Sequence, residues 1–235
     1  MLKLRRGFGL FFLGHMAWAY VWAVAVWALI SGGKRVGKLF VPAVLMLRVM
    51  PDIDLFFGSL GVVHHTFTHS LFFWLVIFAP FLLVFRWKSV PYLAAVVQHF
   101  AFGDFLVGKV MVLWPFSTSY FGLGIAMPSV LDVALETGGL LLAAGIIIFN
   151  GDLRRLLSVD TRNSPMLVPF LALLASMLFF AVDQPIIPLV TYIWSRKLLT
   201  TIVLGHIILA AFLAVSTVQG LRALKRKRVS ISKTT

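Results

Sequence analysis

Residues 70–86 read SLFFWLVIFAPFLLVFR. From Leu71 to Phe85 no residue is charged, and Arg86 closes the run. Hydrocarbon penalises charge, so an uninterrupted apolar run bounded by a cation has the pattern of a bilayer-crossing helix. The pattern recurs at 7–30, 91–113, 129–149, 166–182 and 198–217, each close to the ~20 residues that a span needs. Of the 235 residues 60% are hydrophobic and 12% charged, about half the charged fraction of a soluble domain. The expected fold is therefore all-α: a polytopic membrane helix bundle of about six transmembrane helices. Segments 39–50 and 185–194 are too short to span. They carry Pro42 and then Pro185 and Pro188, so they read as half-helices or interfacial pieces.

The polar break NGDLRRLLSVDTRNSP (150–165) divides the chain into an N-terminal membrane bundle, 1–150, and further transmembrane helices with a basic tail, 151–235. The N-terminal run is too long for the apolar core of a signal peptide, and ALISGGKR is a poor cleavage site, so it reads as a retained helix. There is no cysteine, which excludes disulfides and thiolate metal sites.

The net charge of +13 does not mark a nucleic-acid binder. The Lys and Arg residues sit in short clusters at the ends of apolar runs, as helix anchors do. No base-reading module is present, and no nucleic-acid partner is expected. The cluster RALKRKR (222–228) is suited to anionic lipid headgroups. If the six long runs cross and 39–57 does not, the side holding both ends carries 14 Lys and Arg and the other side seven. That bias places both termini in the cytoplasm and residues 51–70 near the outer face of the cell membrane.

Immediately before the decisive run lies PDIDLFFGSLGVVHHTFTHS (51–70), with two aspartates and three histidines in twenty residues. Five of the chain's eight acids, Asp52, Asp54, Asp104, Asp132 and Glu136, lie within or beside apolar segments. A lone carboxylate there is costly or stays protonated. His15, His64, His65, His69 and His99 precede residue 100, and only His206 falls late. Imidazole and carboxylate donors without sulfur suit zinc, manganese or iron, in one- or two-ion sites. Asp52 and Asp54, two apart after Pro51, are expected on an extended or turn backbone with both side chains aimed one way. Thr68 is expected to cap the 70–86 helix, leaving His69 in its first turn. His99 and Asp104 are five apart on the 91–113 helix, so they diverge unless the helix bulges near Gly103. His65 and His69 have the i,i+4 spacing of zinc ligands, although histidines in a loop are often only solvated. A single membrane histidine such as His15 or His206 is more often an interhelical hydrogen-bonder, and His206 is assigned to that role. Asp132 and Glu136, i,i+4 on one helix, read as interfacial in preference to supporting a metal ligand from behind. The 22 Phe and 7 Trp are core, lipid contact and interface belt.

These residues resemble the membrane-bound metal-dependent hydrolase family, the YdjM-like, LexA-regulated inner-membrane proteins of bacteria and their archaeal relatives. That family shows Gly-His, then Pro-Asp-x-Asp, then His-Arg-Gly-x-Thr-His-Ser, a His-x-x-x-Asp helix and a Trp-Pro stretch. Here the order is Gly14–His15, PDID (51–54), HHTFTHS (64–70), HFAFGD (99–104) and LWPFSTSYFGL (113–123). The chain departs in having His65 for the family's Arg, Leu55 where many relatives have His, and Asp104 one place late, with Gly103 in the expected position. The resemblance implies His15, Asp52, Asp54, His64, His69, His99 and Asp104 as metal ligands. It also implies hydrolysis by metal-activated water, with zinc or manganese as the metal. In that scheme Asp54 or Asp104 takes the proton, while His65 and STSY (117–120) orient substrate or stabilise developing negative charge. An ester or phosphoester of an amphiphile that enters from the bilayer is the expected substrate. Two other classes use the same residue types: ion or proton-coupled transport, and a purely structural metal.

Overall fold

The computed structural model describes residues 12–32, 39–125, 130–183 and 197–232. The half-helix expected at 185–194 lies outside the described residues, as do several of the charges counted for orientation. The described residues are mostly helical, the longest exception being 108–125, and their one β feature is an isolated bridge between Val110 and Phe121. The elements are α1 (Phe12–Ile30), α2 (Val41–Val49), α3 (Leu71–Phe85), α4 (Val90–Gln98), α5 (Phe105–Val107), α6 (Val130–Phe149), α7 (Asp152–Leu156), α8 (Leu167–Asp183) and α9 (Lys197–Ser232). Tight 3₁₀ turns cover Met50–Leu60, Phe67–His69 and Thr161–Met166, and His99–Asp104 is a π turn.

Among the described residues, five segments are long and apolar enough to cross a membrane: Leu13–Ile30, Leu71–Lys88, Val90–Val107, Val130–Phe149 and Val203–Ser230. The sixth expected span is α8, of 17 residues. The chain is an all-α bundle of membrane-spanning character. One run ends sooner than its composition implies: the 91–113 segment leaves the helix after Val107, where Gly108 turns extended. At 1.5 Å per residue, the 36 residues of α9 extend about 54 Å, well beyond a hydrocarbon core of ~30 Å. Its C-terminal end is basic and exposed.

Helix α1 is the axis of the bundle and packs against α2, α4 and α6. Without a hydrophobic force between helices in lipid, close approach depends on small residues. Gly14, Ala17, Ala19 and Ala23 are all buried on α1. The Glu136 carboxylate occupies the place a Cβ of Gly14 would take, and the Trp18 indole sits over Gly139. Trp18 Nε1 donates to the Leu135 carbonyl at 3.2 Å. The largest core cluster joins Met16, Tyr20 and Val24 of α1 to Val41 and Leu45 of α2, Leu156, Met166, Leu173 and Leu213. Helix α3 shows the opposite pattern. Only Trp74 and Phe78, one turn apart, are buried, while Val76, Phe81, Leu83 and Val84 are exposed, as a lipid-facing helix requires.

The start of α3 differs from the expected cap. Ser70 is the N-cap, its Oγ 3.5 Å from the Phe73 N–H, and that same hydroxyl donates to the Trp114 carbonyl. Thr68 is turned elsewhere, and His69 ends a separate 3₁₀ turn rather than entering α3. The loop after Gly108 folds back over this corner: Met111 N–H donates to the His65 carbonyl and Leu71 N–H to that of Val112, both at 3.0 Å.

Candidate metal centre

Four segments bring seven donor side chains, and Asp54 behind them, to one place. His15 comes from α1, Asp52 and Asp54 from the 3₁₀ segment after α2, and His64, His65 and His69 from the connection into α3. His99 and Asp104 frame the π turn after α4. With Asp54 included, all eight residues that the sequence marks are described.

The π turn settles the shifted spacing. In an α-helix, residues five apart are rotated by about 140° and diverge. The i→i+5 hydrogen bonding of a π turn brings them to one face. His99 Nε2 and Asp104 Oδ2 are accordingly 3.1 Å apart. The bulge is built around Gly103, which packs on His15: a Cβ there would clash with Cε1 and Nδ1 of the imidazole. His15 in turn stacks on His99, centroids 4.4 Å apart.

Asp104 is the hub. Its Oδ2 lies 3.1 Å from His99 Nε2, 3.2 Å from His69 Nε2 and 3.9 Å from His65 Nε2, and its Oδ1 lies 3.3 Å from His15 Nε2. Asp52 Oδ1 completes the group, 3.1 Å from His99 Nε2 and 3.8 Å from His69 Nε2. Four donors held tetrahedrally ~2.1 Å from a zinc ion sit roughly 3.3 Å from one another. The four carboxylate-to-imidazole separations, Asp104 Oδ2 and Asp52 Oδ1 each to His69 Nε2 and His99 Nε2, are 3.1–3.8 Å, near that value. Asp104 Oδ2, His65 Nε2 and His69 Nε2 are buried with no hydrogen-bond partner. Buried polar atoms that converge yet satisfy no hydrogen bond call for an additional partner. This donor set fits a divalent cation.

Asp54 occupies a different position. It is 1% exposed. Its Oδ1 sits 2.7 Å from His64 Nδ1, and its Oδ2 accepts from the Thr68 hydroxyl at 2.6 Å with His69 Nδ1 3.5 Å away. Both oxygens are thus taken up by groups that orient two histidine rings, the arrangement typical of a carboxylate behind a metal-binding imidazole. The 3₁₀ geometry explains why Asp52 and Asp54 part. Met50–Leu60 is a tight helix rather than extended chain, so residues two apart point to different sides.

Arg48 has no place in the sequence-based set. On the last turn of α2 its guanidinium is 3% exposed, and Nη1 lies 3.5 Å from Asp52 Oδ2. Asp104 and Glu136 also act on it electrostatically. Its i,i+4 spacing from Asp52 is the available sequence signal. Burial alone would raise the Asp52 carboxyl, but the His99 ring, hydrogen bonds from His69 and His99, and Arg48 hold it well below the usual carboxylate range. Asp54 is also held low: burial opposes, and the hydrogen bonds of His64 and His69 outweigh it. Burial pushes the His65 imidazole down to about 4, against the pull of Asp104, so it is neutral and ready to donate a lone pair at neutral pH. Its backbone is left-handed, φ 67°, at a cost on the order of 1 kcal/mol or more, and its carbonyl is pinned by the Met111 amide.

Three of the seven donor residues form one compact triad, His15–His99–Asp104, and three another, His64–His65–His69. A third group, Asp52–His69–His99, draws on both. His206, on α9, belongs to none of these. Glu136 is buried against Gly14, one residue from His15, and Asp132 is buried one turn before it. Thr118, Ser119 and Tyr120 are exposed.

Comparison with protein-family models, curated proteins and solved structures finds no match in any of the three. Buried His/Asp clusters able to hold a cation, within a bundle of membrane-spanning helices, are the features on which a functional assignment rests.

Proposed function

We propose that this chain is a membrane-embedded metal-dependent hydrolase acting on an ester or phosphoester of an amphiphilic substrate. The observation that carries the proposal is the convergence of Asp52, His69, His99 and Asp104, with carboxylate-to-imidazole separations of 3.1–3.8 Å and with Asp104 Oδ2 and His69 Nε2 buried and left without hydrogen bonds. The oxygen and nitrogen donor set favours zinc or manganese. When bound, such an ion supplies a water acidified towards neutrality and a Lewis acid for the scissile carbonyl or phosphoryl group.

The chain's own residues do the rest. Asp54 and Thr68 fix the rings of His64 and His69. Arg48 takes one oxygen of Asp52 and leaves the other facing the cluster. Asp52 is the carboxylate that solvent reaches, its side chain 22% exposed against 0% for Asp54 and 3% for Asp104. Ionised across the neutral range, it is in the form that would hold a cation. His65, neutral beside Asp104, is placed to steady charge developing on the substrate.

The surroundings support an amphiphile. Leu55, Phe57 and Val63, from the segment carrying the donors, are 56%, 43% and 60% exposed, and Phe116 and Leu123 of the covering loop are 77% and 65% exposed. Exposed apolar side chains around a polar centre mark a surface for acyl or alkyl chains. By the distribution of Lys and Arg, the centre lies towards the outer face and both termini are cytoplasmic.

The test is metal content and turnover of protein purified in detergent. Stoichiometric zinc or manganese, with chelator-sensitive cleavage of a chromogenic phosphodiester or ester, supports the proposal. Metal-loaded protein that cleaves neither but carries cations into liposomes is a transporter, and metal with neither activity is a structural site.

A further inference from the structure

We propose that the centre holds two divalent cations: an inner one among His15, His99 and Asp104, and an outer one among His64, His65 and His69, with Asp52 facing both. This rests on the metal-centre reading above and divides its donors between two ions, His99 and Asp104 serving the inner one and His69 the outer.

The two triads share no residue, yet within each a donor atom from every member lies within 4.8 Å of the others. Asp52 forms a third such group with His69 of the outer triad and His99 of the inner one, the place of a bridging carboxylate. Asp104 also faces both ways, with Oδ1 towards His15 and Oδ2 towards His69, His99 and His65. A single tetrahedral ion takes four donors. The cluster supplies seven, and one ion would leave the His65 nitrogen buried and unpaired. His65 is moreover held in a left-handed backbone conformation by the Met111 amide, and that conformation turns its Nε2 towards Asp104 rather than to solvent.

The sites differ in access. His15, His99 and Asp104 are 2%, 1% and 3% exposed along their side chains, whereas His64 and His65 are 32% and 11% exposed. The inner ion is therefore the retained one, and the outer ion exchanges with solution.

The experiment uses the full chain in detergent, stripped of metal and titrated with Mn²⁺. Two equivalents bind at saturation, and the low-temperature electron paramagnetic resonance spectrum is that of an exchange-coupled pair. A weak chelator removes one equivalent well before the other. His65→Gln, or His64→Gln with His65→Gln, retains one equivalent and the spectrum of an isolated ion. One equivalent at saturation in the unaltered protein, two uncoupled ions, or a variant that keeps both or loses both overturns the proposal. The unaltered protein decides the matter even if the variants do not fold. One equivalent with metal-dependent hydrolysis removes only the outer site; no bound metal removes the hydrolase reading as well.

Discussion

Gly103→Ala tests the geometry of the centre without deleting any donor. A Cβ at residue 103 would coincide with the Cε1 and Nδ1 side of the His15 ring and lie 3.2 Å from its Nε2. Either the ring swings away from Asp104, 3.3 Å distant, or the π turn is pushed outward and carries Asp104 with it. Overpacking a tight interior costs about 1–3 kcal/mol. If that cost falls on the metal-bound arrangement, which needs both groups in place, affinity drops about 5- to 140-fold at ~1.4 kcal/mol per decade. Gly145→Ala on α6 is the control. Its Cβ meets nothing within 4 Å, and it should leave affinity unchanged. Competition with a chromogenic chelator gives the affinities, and far-UV circular dichroism confirms that helix content is retained. Wild-type affinity in Gly103→Ala would show that His15 does not pack on residue 103, and the derivation of the bulged 99–104 geometry would fall with it.

Asp52→Ala and His69→Ala should each abolish bound metal and activity while membrane insertion persists, whereas His206→Ala should be nearly silent. Retained stoichiometric metal in Asp52→Ala would count heavily against the ligand set. Arg48→Met breaks a pair whose cation is buried and whose anion is partly solvated, so unfolding in detergent should show a loss near the low end of the range for such pairs, about 3 kcal/mol. Tyr20→Phe removes a buried 2.7 Å hydrogen bond to Asp152. It should cost about 1.5–3 kcal/mol of stability and leave metal affinity untouched. In metal-free protein, burial pulls the His69 imidazole down, but the surrounding carboxylates of Asp104, Asp52 and Asp54 outweigh it and hold the ring well above its ordinary value. Metal must displace that proton, so affinity measured by competition rises with pH until the ring is neutral. The stability this raised value gives the metal-free protein is complete below the unfolded histidine value and lost as pH climbs through the folded one. The two trends should therefore oppose each other.

The fold was legible because a bilayer makes a blunt demand. A span needs ~20 residues of low polarity, and runs such as 71–85 and 130–149 have no other plausible place. Helix ends were less so. The apolar run from Val110 to Leu113 continues the 91–107 pattern, but Gly108 turns the chain extended, and Val110 pairs with Phe121 instead. Hydropathy records how residues partition and not where the backbone turns. Thr68 and Ser70 show the same limit. Either hydroxyl suits a helix start. The choice fell on Ser70 because Asp54, fourteen residues earlier, takes the Thr68 hydroxyl.

For the metal centre, residue type was visible and grouping was not. In so apolar a chain, histidines and carboxylates stand out because each one carries a desolvation cost. Which oxygen faces which ring depends on backbone forms that composition does not encode. The 3₁₀ turn sends Asp52 to His99 and Asp54 to His64, and the π turn restores Asp104 to the face of His99. Arg48 was hidden for a related reason. By sequence it is one more cation on the seven-residue side of the charge count, a presumed loop anchor. In the fold it is buried beside Asp52, where several kcal/mol of desolvation must be offset by nearby carboxylates. Asp52, Asp104 and Glu136 supply that field. A guanidinium retained at such a cost is better explained by the Asp52 oxygen that it holds in place than by membrane topology.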